Sequence, residues 1–416
     1  MATNHVAPAP CEKKQLLSIE DVIASFRRWL PLQGEEEAPL AEALFRILAE
    51  DIMASHPIAP YDSAAMDGFA FLFDDMPADR CMEVVARVSA GHPMTKAMPR
   101  GKAARIFTGA SMPLGTDTVA MQEDCEVVED FVKLPAGLRQ GTNRRRAGED
   151  VPKGGLVLAT GSRLRPQDIG IAAAAGRAAL TVKQRLRVAI LATGDELRAP
   201  GELLPEGCIF DTNRHAVGAA LRGLGAQVHD FGLVPDRQQA IRDMLEHAAS
   251  ACDLIISSGG VSAGEEDHVR AAVMEIGSLD FWKVAMKPGK PVAMGEIAGT
   301  PFVGLPGNPV AAMITFWLLV RPLVLQLMGA TDISATRIPI VADFRQRHQS
   351  GRREYLRARL HRSDNGKLRA EPYHSTGSAM MSSLIWSDGL LELHENRGDI
   401  EIGDILDFIS YESLSY

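Results

Sequence analysis

The chain has 416 residues, of which 46% are hydrophobic and 23% are charged, a balance that is ordinary for a globular protein. This composition excludes a disordered, collagen-like or disulfide-framework protein, and the net charge of −9 argues against a nucleic-acid partner or a polybasic membrane binder. At this length we expect about two to four domains.

Cysteine usage and the N-terminus indicate the compartment. The five cysteines are odd in number, and none lie at the short spacing of thiolate metal sites. The N-terminus has no basic segment followed by an apolar one, so no signal peptide is expected. The longest mainly apolar run, residues 310–320, is shorter than the ~20 residues that span a bilayer. The sequence therefore predicts a cytoplasmic, soluble protein without a membrane partner.

The first elements are helical by pattern. Ser18 and Asp21 nearly match a capping box and precede apolar residues at helical spacing, which predicts a helix start. Apolar residues in 39–52 also lie on one helical face, which predicts a second helix. From residue 57 to about residue 150, short strand-like runs alternate with Gly/Pro turns, which indicates a β-rich insert. A helix is expected again over 168–175.

Residues 185–328 repeat a strand, a loop and a helix. The apolar strands 188–192, 254–256 and 302–303 each run into a glycine-containing loop, a pattern typical of a doubly wound parallel sheet. Beyond residue 338 several short strands indicate a small β-barrel or sandwich.

The predicted fold class is therefore a multidomain α/β protein with a doubly wound parallel or mixed sheet at its core. The predicted domains are an N-terminal linker domain (15–55 with 151–184), a β-rich insert (56–150), an α/β domain (185–329) and a C-terminal β-barrel-like domain (335–416).

Two strand-end loops carry the first chemical signals. Ligands of open α/β sheets bind where Glu196 lies, in the loop after strand 188–192, although this loop alone could be a simple turn. The loop 257–267 is rich in glycine and serine, so its backbone N–H groups can approach a phosphate. It ends in three acids that include Asp267, which favours a phosphate held with a divalent cation. The alternative is that these acids only complement a helix dipole.

Two proline-containing loops and the insert add weaker signals. The stiff loop that holds Lys287 and Lys290 suits an oxyanion, but two lysines on a turn are also common on surfaces. The loop 305–309 reads locally as structural, with Pro309 in the first turn of a helix. In the insert, Asp67 and Thr108 lie beside glycines, and three arginines precede an acidic pair that ends in Asp150.

Nine segments in order resemble the molybdopterin molybdenumtransferases, the MoeA-like proteins related to the E domain of gephyrin. The resemblance runs from about residue 18 to residue 410. The segments are 62–70, 108–110, 121–123, 148–150, 193–197, 211–214, 257–267, 287–291 and 304–309.

The resemblance implies an enzyme that combines adenylylated molybdopterin with molybdate, using Mg²⁺ and releasing AMP. It also implies a homodimer whose pocket lies between the α/β domain of one subunit and the insert of the other. The product would be handed to the molybdopterin adenylyltransferase or to a molybdoenzyme chaperone.

The resemblance also implies site residues. The implied catalytic positions are Asp67, Thr108, Asp150, Glu196, Asp236 and Asp267, of which Glu196 and Asp267 would hold Mg²⁺. The implied substrate positions are Ser258, Gly259, Gly260, Ser262, Lys287, Lys290, Pro306, Pro309, Arg357 and Ser378.

We hypothesise that Mg²⁺ neutralises charge at the cleaving pyrophosphate-like bond, and that the cationic residues concentrate molybdate. Three rival functions are molybdopterin adenylylation, a scaffold role and cofactor storage. The sequence of the loop 258–262 argues against adenylylation, and the lack of a fused adenylylating domain argues against a scaffold. The retained acids argue against storage.

Overall fold

The computed structural model describes residues 16–259, 268–289, 291–364 and 366–415. Asp267, Gly260, Ser262 and Lys290, all predicted site residues, lie outside the described residues.

The N-terminal region begins with the predicted capping box. Ser18 Oγ accepts from the Asp21 backbone N–H at 3.0 Å, and Asp21 Oδ2 accepts in turn from the Ser18 N–H at 3.3 Å. These two bonds satisfy donors that a helix start leaves open, which confirms the predicted start. The region forms α1 (Ile19–Ser25), β1 (Glu35–Pro39) and β2 (Ile52–Met53).

The helix predicted over 39–52 is wrong. Only Leu40–Glu42 forms a short 3₁₀ turn, and Phe45 has a positive φ of 62° that breaks any helix. Ile47 and Leu48 are both buried, and they form β-bridges to residues that follow the insert. Consecutive buried residues suit an extended segment packed between other chains, so long-range pairing overrides the local helical spacing.

The insert is β-rich, as predicted. Its central sheet has the order β7-β4-β6-β5-β9-β8, and within it only β5 and β6 run parallel. Both faces are apolar, with Ile106 and Val119 on one face and Phe71 and Met82 on the other. The strands are β3 (Ser63–Ala64), β4 (Gly68–Phe71), β5 (Cys81–Val88), β6 (Lys102–Ile106), β7 (Thr118–Met121), β8 (Glu126–Val128), β9 (Phe131–Lys133) and β10 (Arg144–Arg145).

After the insert the chain returns to the N-terminal region. It forms β11 (Leu156–Leu158), α2 (Pro166–Ala174) and β12 (Ala179–Lys183), and α2 confirms the helix expected near 168–175. β11 pairs antiparallel with β2, and β12 pairs antiparallel with β1. The two stretches that flank the insert in sequence are therefore joined in space.

The core is a six-stranded mixed sheet with the order β16-β13-β17-β21-β20-β18. The first four strands are parallel, and the last two extend the sheet by antiparallel pairing. The elements are β13 (Arg187–Thr193), β14 (Leu197–Arg198), β15 (Ile209–Phe210), α3 (Asn213–Gly223), β16 (Gln227–Val234), α4 (Gln238–Ala251), β17 (Leu254–Ser258), α5 (His268–Ile276), β18 (Gly277–Lys283), β19 (Met286–Lys287), β20 (Pro291–Ile297), β21 (Thr300–Leu305), α6 (Pro309–Thr315) and α7 (Arg321–Leu327).

Helices cover both faces of this sheet. Ile190 and Ile256 lie in one buried cluster with residues of α3, α6 and α7, while Leu191 and Ile255 lie in a second cluster with α4 and α5. Alternate residues of each strand thus face opposite helical layers, which explains why the strands read as continuous apolar runs. The predicted doubly wound, mixed sheet is confirmed.

A continuous apolar helix runs from α6 through a π-helical segment, Phe316–Val320, to the end of α7. This helix, Pro309–Leu327, is the one in the described part of the chain whose length and composition would suffice to cross a membrane. However, 94% of its most apolar window is buried inside the protein. It packs within the first of the two core clusters.

The C-terminal region forms a closed five-stranded barrel, which confirms the predicted barrel-like domain. The order β23-β24-β22-β26-β25 closes because β25 also pairs with β23, and β19 from the core adds to β23 from outside. The elements are β22 (Ile338–Ala342), β23 (Arg353–Arg362), β24 (Leu368–Pro372), α8 (Ser382–Trp386), β25 (Gly389–Leu393), β26 (Ile405–Ser410) and α9 (Tyr411–Ser415).

Candidate functional site

The core sheet has a topological switch point between β13 and β17. β16, the next parallel strand along the chain, lies on one side of β13, and β17 lies on the other side of β13. Loops that leave two such strands diverge, so a crevice opens at their carboxyl ends, where ligands of these sheets bind. Thr193 and Ser258 end the two strands, so both predicted strand-end loops reach this crevice.

Gly259 allows the two loops to approach closely. Its φ is +87°, and a Cβ at this position would lie 2.6 Å from the Thr193 carbonyl oxygen. Only glycine fits such a position without displacing backbone. The predicted phosphate loop therefore begins with its backbone against the end of β13.

A buried amide joins three loops at the crevice. Asn213 Nδ2 donates to Ser258 Oγ at 2.9 Å and to the Gly307 carbonyl at 2.8 Å. Asn213 is the first residue of α3, so this single side chain links the elements that follow β13, β17 and β21. We did not predict a role for Asn213, although the segment 211–214 that contains it was one of the nine matching segments.

The start of α3 is itself fixed by charge. Arg214 Nε donates to Asp211 Oδ2 at 2.8 Å, and a second guanidinium nitrogen pairs with Asp230 on β16. Burial opposes the charged form of Arg214, but the hydrogen bonds to both carboxylates raise its pKa above the usual value. These pairs hold α3 against β16 and so fix where Asn213 projects.

The third loop and the C-terminal region complete a cleft of about 700 Å³. Pro309 begins α6, and the next N–H, that of Val310, donates to the Ser378 carbonyl at 3.0 Å. The cleft lining includes Thr193, Glu196, Phe210, Asn213, Ser258, Gly259, Asn308, Pro309, Ala379 and Met381. The predicted residues Glu196, Ser258, Gly259 and Pro309 therefore meet at one place, whereas the predicted Pro306 lies just outside the lining, which takes Gly307, Asn308 and Pro309 from its loop.

Two predicted acids lie near the carboxyl end of β13. Glu196 is exposed and lines the cleft, and its carboxylate has no hydrogen-bond or ion-pair partner among the described residues. Asp236, which follows β16, accepts from Thr193 Oγ1 at 3.2 Å. The first carboxylate is thus available to a ligand or cation, while the second braces the end of β13.

Two of the predicted oxyanion residues, Lys287 and Arg357, lie where the C-terminal barrel meets the core. Lys287 Nζ is 2.8 Å from Glu354 Oε1. Arg357 is only 2% exposed, and it donates to the Ser375 and Gly377 carbonyls at 2.7 and 3.1 Å. Burial lowers the pKa of Arg357 from its usual value. Arg357 thereby holds the loop that contains Ser378, and the carbonyl of Ser378 bonds to the start of α6.

The insert carries a separate polar site. Asp67 Oδ1 accepts from the Thr108 backbone N–H at 2.8 Å and from Thr108 Oγ1 at 2.7 Å. These bonds, aided by the Arg105 charge, lower the pKa of Asp67 although desolvation opposes the shift. Asp150 is exposed and has no such partner within the described ranges. None of these three predicted residues lines the cleft of its own chain.

One further group of possible metal ligands lies in the C-terminal barrel, formed by Glu392, His394 and Asp407. Glu392 is fully buried as a side chain, and it already accepts from Arg337 Nε at 2.6 Å and from the Tyr355 hydroxyl at 2.7 Å. An ion there would have to displace a buried ion pair, so this group fits a structural role.

Comparison with protein families finds three matches in chain order. The MoeA N-terminal region (domain I and II) matches residues 17–176, a probable molybdopterin-binding domain matches 189–326, and the MoeA C-terminal region (domain IV) matches 340–411. The second match contains the cleft loops that follow β13, β17 and β21.

Curated relatives cover nearly the whole chain. A molybdopterin molybdenumtransferase of Haemophilus influenzae is 35% identical over 405 residues, which is 96% of this chain and 100% of the relative. Molybdopterin molybdenumtransferase 2 of Mycobacterium tuberculosis is 34% identical over 88% of this chain and 92% of its own length. The crystal structure of the MoeA molybdopterin biosynthesis protein of Pyrococcus horikoshii matches with a TM-score of 0.79 and 28% identity, covering 95% of this chain and all of that one.

Proposed function

The chain belongs to the molybdopterin molybdenumtransferase family, and we propose that it inserts molybdate into adenylylated molybdopterin with Mg²⁺-dependent release of AMP. Water attacks phosphorus in the pyrophosphate linkage, a P–O bond breaks and AMP leaves. The two dithiolene thiols bind molybdenum and displace one molybdate oxygen, which leaves as water with the two thiol protons. The observation that carries this proposal is the cleft at the switch point, where the glycine loop begins beside Glu196.

The donor set at the cleft fits a magnesium ion. Carboxylate oxygens are its preferred protein ligands, usually one or two of them together with substrate phosphate oxygens. Glu196 offers a carboxylate with no partner among the described residues, and Asp267 follows the same glycine loop in sequence. Bound there, the ion would neutralise charge on the cleaving linkage. Thr193 and Asp236 keep the end of β13 in place beside it.

The phosphate groups would lie on the glycine loop. Ser258 and Gly259 begin this loop in the cleft, and Gly260 and Ser262 continue it in sequence. Pro306 and Pro309 hold the neighbouring loop rigid, and Pro309 places the positive end of a long helix beside the cleft.

Molybdate would be held between the core and the C-terminal barrel. In this proposal Lys287 and Lys290 supply ammonium groups, and Arg357 and Ser378 are the further residues of the oxyanion site. Support for this arrangement comes from the Val310 N–H bond to the Ser378 carbonyl, which brings the barrel loop to the start of α6. A cationic pocket raises the local concentration of a dianion.

We propose further that the enzyme works as a homodimer with a shared pocket. Asp67, Thr108 and Asp150 line no part of the cleft in their own chain, yet Asp67 and Thr108 form an ordered polar pair at the insert surface. The insert of one subunit would bring these groups to the cleft of the other, where they position water or complete the metal site.

The remaining predictions stand as parts of this proposal. The linker domain (15–55 with 151–184) is supported by the pairings of β1 with β12 and of β2 with β11. The insert (56–150), the α/β domain (185–329) and the barrel domain (335–416) are each supported by the sheet that lies within these bounds. A cytoplasmic location and handover of the cofactor to a molybdoenzyme chaperone or the adenylyltransferase complete the proposal.

The test is turnover of adenylylated molybdopterin with molybdate and Mg²⁺, followed by AMP release. We expect Glu196→Gln to abolish metal-dependent release while leaving the circular dichroism spectrum unchanged. Glu206→Gln, an exposed acid in the following loop, is the matched control and should behave as wild type. Normal release by Glu196→Gln would remove the metal assignment, and substrate that stays bound to the unsubstituted protein without AMP release would indicate cofactor storage.

A mixing experiment tests the shared pocket. Asp67→Asn and Glu196→Gln subunits should each be inactive alone, because each homodimer has only defective pockets. Mixed dimers contain one pocket with both acids intact, so about a quarter to a half of wild-type AMP release should return. If mixing restores nothing although light scattering detects mixed dimers, the pocket is not shared.

A further inference from the structure

The ammonium group of Lys287 is already engaged by a buried carboxylate. Lys287 Nζ lies 2.8 Å from Glu354 Oε1, and the Glu354 side chain is only 6% exposed while that of Lys287 is 44% exposed. The pair forms because β19 runs parallel to β23, with Lys287 directly opposite Glu354 in the register. The Lys287 side chain is thus partly exposed, whereas the carboxylate that it contacts is buried inside the fold.

Glu354 is held in place from its other side. Its second oxygen, Oε2, is 3.4 Å from Nδ1 of His348, whose side chain is 1% exposed. The other ring nitrogen of His348 is 3.2 Å from the His394 carbonyl, and its backbone N–H donates to Asp399. Contacts at both ring nitrogens and at the backbone N–H therefore fix His348, and each carboxylate oxygen of Glu354 faces a partner. The charge of Arg357 also acts on Glu354.

Both described cations that the proposed function assigns to molybdate are thus influenced by one buried carboxylate. An ammonium group has three donors, so a single bond to Glu354 leaves two donors of Lys287 for an oxyanion. The same carboxylate offsets the positive charge that attracts the oxyanion. Neither effect requires Glu354 to touch the substrate.

We propose that Glu354 is a positioning residue that aims the Lys287 ammonium and limits the affinity of the oxyanion site. This inference rests on the proposed function, since it takes Lys287 as a molybdate-binding residue. An ion that must be passed on to the dithiolene gains nothing from tight binding in the ground state, because uniform binding does not accelerate transfer. Glu354 keeps the dianion in place while leaving it loosely bound.

The test is direct binding of sodium molybdate to the full chain by calorimetry at fixed ionic strength, with Glu354→Gln as the main variant. The glutamine keeps the size and an acceptor oxygen for Lys287 but removes the charge. We expect Glu354→Gln to bind molybdate about tenfold tighter, which corresponds to about 1.4 kcal/mol. Glu401→Gln removes an equal charge from an exposed pair with Arg345 on the same barrel and should leave affinity unchanged.

A double-mutant cycle shows whether the effect acts through the lysine. In a Lys287→Met background, the Glu354→Gln change should alter molybdate affinity by clearly less than tenfold, because the Lys287 charge has gone and only the Arg357 charge remains to be offset. Release of AMP under saturating molybdate gives a second measurement, in which Glu354→Gln should lower kcat as the dianion is held too firmly.

The outcomes separate this inference from the proposed function. Unsubstituted protein that binds no molybdate overturns both. If the wild-type protein binds molybdate and Glu354→Gln leaves that affinity unchanged or weakens it, only the inference is overturned. The inference is also overturned if Glu354→Gln raises the affinity equally in the wild-type and Lys287→Met backgrounds. Hydrogen exchange in β23 checks whether Glu354→Gln is folded. If it is not, His348→Gln is used instead; this variant removes the contact to the second oxygen of Glu354 and should change molybdate affinity.

Discussion

The side-chain amide of Asn213 donates a hydrogen bond to Ser258 Oγ over 2.9 Å inside the fold. The same nitrogen also reaches the Gly307 carbonyl, so one residue at the start of α3 connects the loops after β17 and β21. The position of the glycine loop relative to the start of α6 therefore depends on a donor that lies on neither loop.

Replacing Asn213 with alanine should loosen the cleft. The buried Ser258 hydroxyl and the carbonyl of the exposed Gly307 both lose their donor, and the loss at the buried hydroxyl costs about 1–3 kcal/mol. Local hydrogen exchange at residues 257–259 should speed up accordingly, and KM for adenylylated molybdopterin should rise more than kcat falls. Gln238→Ala, which removes an exposed amide on α4, serves as the control. Unchanged exchange in the 257–259 loop would show that Asn213 does not hold it.

Replacing Gly259 with alanine should be far more harmful than the same change at Gly232. Both glycines have positive φ, at 87° and 76°, so both substitutions carry a similar conformational cost of about 1 kcal/mol. A Cβ at Gly259 meets the Thr193 carbonyl at 2.6 Å, whereas a Cβ at Gly232 meets nothing within 4 Å. We expect at least a tenfold loss of AMP release only for Gly259→Ala. Equal activity of both variants would contradict the close approach.

Replacing Thr108 with valine should raise the pKa of Asp67. The hydroxyl bond is lost while the backbone N–H bond remains, so the pKa rises part of the way toward its ordinary value. A carboxyl whose folded pKa is depressed stabilises the fold above its unfolded pKa, and that contribution is lost as pH falls through the folded value. A carbon-detected NMR titration of Asp67 measures the shift, with Thr116→Val as the control because its hydroxyl bonds Pro113 instead.

Replacing Glu392 with glutamine should destabilise the C-terminal barrel by about 3 kcal/mol, because Arg337 and Arg353 are left beside it without their shared counter-charge. Burial favours the neutral acid, but the bonds from Arg337 and Tyr355 lower the pKa of Glu392 overall. The wild-type barrel should therefore lose more stability than the variant as pH falls through that pKa.

Hydrogen exchange in β25 is the appropriate measurement for this variant, since a multidomain chain does not unfold in one step. Glu401→Gln breaks an exposed pair and should change exchange by less than about 0.5 kcal/mol. A small effect for Glu392→Gln as well would mean that the buried charges are relieved by water.

The sequence predicts the core strands and their loops well for a local reason. A strand such as β13 is buried on both faces, so it reads as an unbroken apolar run that stops at a glycine. The segment 39–52 has no such signal, because its burial comes from partners more than a hundred residues away, such as Val182 for Leu48 and Arg163 for Ile47. Its apolar spacing fits a helix only when those partners are ignored.

The site shows the same division. Glu196 and the glycine loop that begins at the end of β17 could be predicted because each lies at a strand end, at the edge where ligands bind. Pro309 was implied only by the family resemblance, since its loop reads locally as structural. The role of Asn213 could not be predicted, because its acceptors lie 45 and 94 residues further along the chain. Likewise, the buried position of Arg357 depends on the loop that folds over it, and nothing in the local residue order indicates that loop.

The pairing of β2 with β11 has a topological consequence. Ile52 lies opposite Leu158 and Met53 opposite Leu156, and Ile58 bridges to Val151 a little further out. The chain therefore leaves for the insert and comes back at a single place, with its outgoing and incoming strands side by side. A segment attached in this way can be lengthened, shortened or exchanged between two breakpoints that lie side by side in space, and the threading of every other element stays the same.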